Sequence, residues 1–500
     1  MPTLVGTLLS TVIRLYMKYV VLNNVYSIRN EMTCSYIVRK NIFLNAGVKN
    51  SQTIYPIPPF IGYILTNVGS DFLDQSESAI SKALGVEIYA VKHFLSQLIA
   101  QPSKSIHFMG NEIILPENLL VYSNFKCINS SYTVGSFSPT NDFFPTRPRT
   151  PLVVNFMVTE KCNTNCIYCY AKRDMKKEML TSDIERVFQK LSKAGVANIT
   201  LTGGDIFARK DWYEILCLSR KAGFSQTIST KTILSEKDII RLKRLGVSHI
   251  QFSLDSATPH IIRKMINVRD EYVKALGTMF EMCEKHKFKI SVRTVLCKFN
   301  TEPEVIKELC HFIDHFNCIE NWIITPAFYS ENIKEYSNYA VDNSELKNAF
   351  LLLRSVKMHI RPLFNKLNKE GYTLQKAKNT DDFVKSNQVC YANTYSMSIL
   401  PSGDCTICEM LYDNKDFVLG NILEMGIEDI WNSNKALELY SPSREYTSTE
   451  SACSLCKVFD KCKKGMTKRI CYVDIMKVNK KRDMPDPKCP QATYNCKYIL

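Results

Sequence analysis

The chain has 500 residues, 45% of them hydrophobic and 23% charged, with a formal net charge of +15. That length predicts about two to four domains, and the composition excludes a disordered chain. Nineteen cysteines, an odd number in a long chain, exclude a small disulfide scaffold. Many sit in metal-type pairs such as Cys405-x2-Cys408 and Cys453-x2-Cys456. They read as reduced thiolates in a reducing, cytoplasmic compartment.

In chain order, Met1 to Asn24 is rich in Leu and Val, but Arg14 and Lys18 interrupt it. No apolar run reaches the roughly 18 residues of a spanning helix, and no cleavage site follows a basic start. The expectation is an amphipathic helix packed on the protein, with no membrane anchor. Strands are expected near 19–28, 32–39 and 50–56. Helices follow near 59–67, opened by Pro58 and Pro59, then over 71–84 and 87–99. In the last, Ile88, Val91, Leu95 and Leu98 recur at helical intervals. Residues 1–110 form a first domain. Residues 111–150, with Pro139, Pro145 and Pro148, read as a connector.

From 151 to 330 strand-like and helix-like segments alternate. Strands are expected near 152–158, 198–202, 225–229, 248–254, 289–296 and 321–325. Helices are expected near 181–194, 210–222, 235–245, 270–286 and 302–316, the first capped by Thr181 or Ser182. Repeated β-α units imply a parallel sheet with right-handed crossovers. Residues 331–385 form a helical bridge. The positive charge is spread over presumed helix faces such as Lys237 to Arg244. No basic strip interleaved with aromatics appears, so nucleic acid is not an expected partner.

Chemistry concentrates at cysteines. Cys162-x3-Cys166-x2-Cys169 directly follows the strand at 152–158. Three thiolates can hold three irons of a [4Fe–4S] cube and leave the fourth open, whereas electron-transfer clusters usually have four cysteines. A structural zinc wants four closed ligands, and no fourth Cys or His lies nearby. Further on stand Leu201-Thr202-Gly203-Gly204-Asp205, Ile228-Ser229-Thr230-Lys231 and Phe252-Ser253-Leu254-Asp255. Each follows a predicted strand, at the end where parallel barrels gather their active sites. The C-terminal part has Cys390-x12-Gly403-x4-Cys408, then Cys453-x2-Cys456-x5-Cys462, then Cys489. A zinc ribbon is the competing reading of such pairs.

In this order and spacing, residues 151–330 resemble radical S-adenosylmethionine (radical SAM) enzymes, with Tyr168 as the aromatic of the cysteine motif. Asp205 stands where that family has Glu. The resemblance implies an α/β fold, a partial (β/α)6 barrel. It implies that Cys162, Cys166 and Cys169 hold a [4Fe–4S] cluster and that S-adenosylmethionine binds its open iron. Tyr168 would lie near the adenine. Gly203 and Gly204 would make room for the methionine ammonium, with Asp205 adding a charge-assisted contact. Ser229 and Ser253 would serve the ribose and the methionine carboxylate.

Residues 386–500 resemble the SPASM extension, which carries one or two auxiliary iron–sulfur clusters. Cys453, Cys456, Cys462 and Cys489 would complete one. Cys390, Cys405 and Cys408 would contribute to the other. The family has a further cysteine four positions after Cys462, where this chain has Met466. Cys471 would substitute, or one iron would stay open to a substrate thiolate.

Residues 1–110 resemble a PqqD-like, winged-helix element that binds leader peptides. Together the three parts resemble sactipeptide and ranthipeptide maturases. That implies an oxidoreductase that forms a thioether cross-link in a ribosomally made precursor peptide through a 5′-deoxyadenosyl radical. Its partners would be a precursor with a leader and an electron donor such as flavodoxin or ferredoxin. The alternatives are carbon–carbon or carbon–oxygen cross-linking, sulfatase-maturase-like oxidation of a Cys or Ser, and a zinc-stabilised peptide-binding adaptor without catalysis.

Overall fold

A computed structural model describes residues 19–40, 53–126, 131–171, 177–328, 338–365, 367–369, 371–372, 376–385, 390–412, 414–464 and 470–493. Cys127, Met466, Cys496 and the expected N-terminal helix up to residue 18 lie outside them. The chain divides into two compact units. One comprises residues 1–41, 50–152 and 195–198; the other comprises 42–49, 153–194 and 199–500.

The first unit contains β1 (Tyr19–Leu22), β2 (Tyr26–Asn30), β3 (Ser35–Arg39) and β4 (Ile54–Ile57). Helices Pro59–Asn67, Leu73–Leu84 and Ile88–Ser96 follow. The first helix opens on Pro59, whose missing N–H costs nothing at that position. Then come β5 (Lys104–Phe108), β6 (Asn111–Leu115), β7 (Leu120–Ser123) and β8 (Ser131–Thr133). The main sheet has the order β4-β3-β2-β8. β2, β3 and β4 pair antiparallel, while β8 runs parallel to β2.

Residues 111–150 therefore differ from the expected plain connector. β6 closes a hairpin with β5, β7 pairs with β1, and β8 fills a sheet edge. The hairpin turns on Met109 and Gly110, both at positive φ (48° and 75°). Two such residues between paired strands make a type I′ turn, whose twist matches the strands. Pro139, Pro145 and Pro148 mark only the stretch after β8.

The second unit is built on one ten-stranded sheet. It contains β9 (Val153–Thr159), β10 (Asn198–Gly203), β11 (Gln226–Thr230), β12 (His249–Ser253), β13 (Lys289–Leu296) and β14 (Ile319–Pro326). β15 (Leu363–Phe364) extends it, and β16 (Leu367–Asn368) and β17 (Gly371–Tyr372) form a separate small hairpin. β18 (Ser396–Ile399), β19 (Asp404–Thr406) and β20 (Val418–Asn421) join beyond β9. The strand order is β15-β14-β13-β12-β11-β10-β9-β18-β19-β20. β10 through β15 pair in parallel, and β18 pairs in parallel with β9. The C-terminal cysteine region thus grows from the same sheet as the barrel.

These parallel strands are not the continuous apolar runs usual in sheets buried on both faces. Ile199, Leu201, Ile228, Ile250, Phe252, Ile290 and Val292 are fully buried. Between them alternate Thr200, Thr202, Thr227, Ser229, Gln251, Ser253, Ser291 and Arg293. Successive side chains point to opposite faces, so one face packs and the other is polar. Gln251 Nε2 donates to Ser229 Oγ at 2.6 Å, and His249 Nε2 lies 2.7 Å from Ser291 Oγ, both across this polar inner face.

Five expected barrel helices are present: Thr181–Lys193, Trp212–Lys221, Glu236–Arg244, Tyr272–Lys285 and Pro303–Asp314. A short one, Pro259–Ile266, is additional. The first helix is capped one residue earlier than expected. Leu180 is the N-cap and its N–H donates to Asp183 Oδ2 at 3.2 Å. Thr181 is instead turned to Asp211, to which its hydroxyl donates at 2.6 Å.

Candidate active site

β9 delivers the chain into the loop that carries Cys162, Cys166 and Cys169. All three thiols are free and half-buried. Thr164 Oγ1 lies 3.3 Å from Cys162 Sγ and 3.5 Å from Cys166 Sγ. The loop backbone is pinned to the end of helix Pro259–Ile266. Asn165 N donates to Ile266 O at 2.8 Å and Ile167 N to Met265 O at 3.0 Å.

The two stems of this loop are clamped by Arg209, a residue without a role in the sequence reading. Its guanidinium donates to Val158 O at 3.0 Å and to Met179 O at 3.3 Å. It forks onto Asp211 at 2.8 and 2.7 Å and pairs with Glu178 at 3.0 Å. Arg209 hydrogen-bonding, with Thr181, holds the Asp211 carboxyl down at about 2. Removing one partner of such a network leaves the others buried and unpaired. Arg209→Met is expected to lose about 3–5 kcal/mol of stability in chemical denaturation and to retain less iron on the loop. Unchanged stability would show that the clamp is dispensable.

Tyr168 is fixed by its polar end. Its hydroxyl donates to Asp255 Oδ2, which also receives Lys231 Nζ at 2.8 Å. Asp255 Oδ1 accepts Val295 N at 2.9 Å. The ring packs against Ile262, Met265, Ile266 and Cys297. Lys231 Nζ stands 5.5 Å from the ring centroid. Burial pulls the Lys231 pKa down, but Asp255 and the thiols of Cys166 and Cys162 more than offset this and hold it above the usual value. Burial pushes the Cys166 thiol up, and Lys231 opposes the rise. Lys231 and Asp255 form a brace that sequence reading quoted without assigning. The available signal was a cation and an anion at the ends of adjacent parallel strands.

Gly203 and Gly204 form a turn pressed against the backbone entering the cysteine loop. Gly203 has φ +143°, and a Cβ there would lie 2.2 Å from Thr159 O; at Gly204 it would lie 2.1 Å from Lys161 O. Gly204 N donates to Thr159 O and Asp205 N to Lys161 O, each at 2.8 Å. The side-chain space is taken by protein backbone, so the glycines serve chain approach.

Asp205, expected to add a charge-assisted contact to the cofactor, is held by groups of its own chain. It is 3% exposed. Oδ1 accepts Phe207 N at 3.0 Å. Oδ2 accepts Thr230 Oγ1 at 2.6 Å, Thr232 Oγ1 at 3.0 Å and Lys231 N at 3.1 Å. A carboxylate has about four acceptor sites, and the chain itself fills them. Asp205 ties the end of β10 to the end of β11. Ser229 is engaged by Gln251. Ser253 is half-buried, and its hydroxyl has no partner among the described residues.

The C-terminal cysteines gather in two places. Cys453, Cys456, Cys462 and Cys489 line one pocket, together with Phe383 and Phe459. Burial, then the neighbouring thiols of Cys453 and Cys456, push Cys489 up to about 11. In the second place Cys390 neighbours both Cys408 and Cys471. Burial and then Cys390 push Cys408 up to about 12. Burial, Asp474 and Cys390 raise Cys471 further. Cys405 is not brought to them. It is fully buried in β19, with Asp404, the Ile422 backbone and Lys190 around it.

Two groups missed by sequence reading stand between the cysteine loop and this second place. Tyr170 hydrogen-bonds Thr202 and neighbours Glu409, Cys169 and Cys408. Burial pushes the Glu409 carboxyl up to about 7. Among the described residues no three Cys, His, Asp or Glu side chains converge on a single ion. Ligands of a cube stand further apart because each binds its own iron. All the grouped side chains are thiols, the ligand type of iron–sulfur clusters.

Residues 156–313 match the radical SAM superfamily, and residues 390–462 match SPASM, an iron-sulfur cluster-binding domain. Fold and site together define the class: a radical SAM/SPASM enzyme. Its cofactors are S-adenosylmethionine, the radical SAM [4Fe–4S] cluster and SPASM auxiliary clusters.

Among known proteins, the chain is 28% identical over 255 residues to GTP 3′,8-cyclase of Mannheimia succiniciproducens, spanning 49% of this chain and 69% of that protein. It is 21% identical over 328 residues to AdoMet-dependent heme synthase of Methanosarcina barkeri, spanning 62% and 90%. Streptococcus suis SuiB bound to S-adenosylmethionine superposes with TM-score 0.59 at 14% identity, covering 94% of this chain and all of that one. SuiB bound to precursor peptide SuiA gives TM-score 0.59 at 15% identity, with 94% of this chain covered. At such identities the likeness is one of fold. No helix among the described residues is long and apolar enough to cross a membrane.

Proposed function

We propose that this enzyme oxidises a ribosomally made precursor peptide and joins a cysteine sulfur to a carbon of another residue. The observation that carries the reading is the placement of the cysteines. The loop after β9 holds Cys162, Cys166 and Cys169. The segment after β19, which pairs with β18 on the far side from β9, holds Cys408. When bound, the cluster and S-adenosylmethionine supply one-electron chemistry that removes a hydrogen atom from an unactivated carbon. Cys162, Cys166 and Cys169 would hold that cluster, braced through Tyr168, Asp255 and Lys231. The polar inner face would receive the reacting groups. Cys390, Cys408 and Cys471 would hold one auxiliary cluster, and Cys453, Cys456, Cys462 and Cys489 the other.

The first unit supports a peptide substrate. β8 fills one edge of its sheet, and β4 is the other edge, without a further strand neighbour among the described residues. An open pocket borders it, lined by Tyr55, Pro56, Ile114 and Phe143. An extended leader can add to such an edge through main-chain hydrogen bonds. The fold likeness to SuiB, known bound to precursor peptide SuiA, points the same way.

The test is to incubate the anaerobically reconstituted chain with S-adenosylmethionine, a reductant and the peptide encoded beside its gene. The expected product has lost two hydrogens and one alkylatable thiol, and tandem mass spectra show a sulfur-to-carbon link. A leader-truncated peptide should react poorly. Loss of two hydrogens with every thiol still alkylatable would point to carbon–carbon or carbon–oxygen linkage. An aldehyde would point to sulfatase-maturase-like oxidation.

A further inference from the structure

Leu455 is 90% exposed, the most of any large hydrophobic side chain among the described residues. A single exposed leucine needs no explanation by itself, but the place of this one does. It lies within Cys453-Ser454-Leu455-Cys456, the tip of the loop whose thiols line the pocket with Cys462 and Cys489. Its direct neighbour Cys456 is only half-buried, whereas Cys453, Cys462 and Cys489 are buried. The tip is braced. Cys456 N donates to Cys453 O at 3.2 Å and Ser454 N to Ser451 O at 3.0 Å. Arg444 donates to Ser454 O and to Cys456 O, each at 3.0 Å, and lies 4.7 Å from the centre of the Phe459 ring. The short turn that begins at Arg444 ends at Tyr446, itself 74% exposed. The fold thus holds an apolar side chain out in water, on a fixed backbone, one residue from a cluster ligand.

The charge around this tip is one-sided. Residues 452–464 contain Lys457, Lys461, Lys463 and Lys464 against one acid, Asp460. Asp460 is already engaged by Lys464 at 2.7 Å, with Arg444 at 3.9 Å. Glu450, just before this run, pairs with Lys481 at 2.8 Å, and Glu445 is the acid of the turn. Lys457 and Lys461 are exposed and have no carboxylate partner among the described residues. An apolar centre inside a polar rim is the anatomy of a protein interface. Redox encounters use small interfaces, and opposite charge steers the partners together.

We propose that the Leu455 tip and its lysine rim are the docking surface for a small acidic electron-carrier protein. The carrier gives one electron to the cluster held by Cys453, Cys456, Cys462 and Cys489. The carrier is oxidised, the cluster is reduced, and no bond forms or breaks. The proposal rests on the auxiliary-cluster assignment and not on which linkage is made in the peptide.

Wild type, Leu455→Glu and the double variant Lys457→Glu/Lys461→Glu are reconstituted without oxygen, and iron is counted first. A second double variant, Lys237→Glu/Lys307→Glu, makes the same change of net charge on two barrel helices. Bleaching of the oxidised clusters by reduced flavodoxin, an acidic carrier, is followed by stopped flow at several salt concentrations. The Lys457/Lys461 variant is expected to lower the second-order rate constant at low salt by roughly 10-fold or more and to flatten its salt dependence. Leu455→Glu should lower it at every salt concentration. The barrel-helix variant should stay close to wild type, and reduction by photoreduced deazaflavin should be the same in all four. Equal flavodoxin rates in wild type, Leu455→Glu and the Lys457/Lys461 variant overturn the proposal. So does self-association of wild type that Leu455→Glu abolishes without a change in those rates, which would make the tip a contact between copies. If Cys453→Ala/Cys456→Ala loses no iron, the auxiliary-cluster assignment fails, while NMR shifts of labelled flavodoxin with the same variants still judge the surface. A Leu455→Glu protein short of iron is replaced by Leu455→Gln.

Discussion

Changing Cys162, Cys166 and Cys169 together to Ala is expected to remove about four irons per chain and to abolish cleavage of S-adenosylmethionine. Three filled cubes predict roughly 12 irons in the parent and about 8 in the variant. The loss should be confined to one cluster because the cysteine sets stand on different elements. The first lies on the loop after β9, held by Arg209, helix Pro259–Ile266 and the Tyr168–Asp255 bond. The set lining the pocket beside Phe383 and Phe459 comes from residues 453–489. Iron and sulfide counts with electron paramagnetic resonance of the reduced protein read this directly. Zinc in place of iron, unchanged in the variant, would sink the radical mechanism and leave the peptide-binding adaptor.

Cys471→Ala and Cys405→Ala are expected to behave oppositely, although both are buried thiols. Cys471 lies beside Cys390, which also neighbours Cys408. Its backbone N–H is fixed by Asp486 Oδ2 at 2.9 Å, a carboxyl that burial pushes up to about 6. Cys471 therefore occupies a prepared position, and losing it should cost up to about four irons or leave a cluster that bleaches on exposure to air. Cys405 sits in β19, registered with Ile399 and Gly420, and is fully buried away from the other thiols. Its replacement by Ala removes one small buried side chain and should leave iron unchanged, with a modest loss of stability of about 1–2 kcal/mol. The reverse pattern would mean that Cys405 is the ligand and Cys471 a packed thiol.

The barrel was largely legible because its signals are local. Strand and helix periods alternate over residues 151–330, and the structure has strands and helices within a few residues of each expected span. The cysteine motif, the Gly-Gly turn and the C-terminal cysteine pairs were readable as spacings. Residues 111–150 were less so. Their prolines suggested irregular chain, but β6, β7 and β8 are short strands stabilised by partners elsewhere in sequence. A three-residue strand carries little period of its own.

The sequence by itself determined the class: cysteine spacing dictates which ligands can reach one cluster, and hydrophobic period dictates a parallel α/β sheet. It gave Asp205 only an expected cofactor contact and Cys405 a place as a ligand, and it left Lys231, Arg209 and Glu409 without roles. Only the tertiary structure decided these, because each depends on which strand end or loop stem lies beside it. Four donors converge on Asp205, one from 2 residues away and the others from 25, 26 and 27. One residue of alternation turns Arg293 to the polar face while Val292 and Thr294 pack. Charge and hydrogen-bond partners are set by neighbours in space, and a linear pattern records those only when they are also neighbours along the chain.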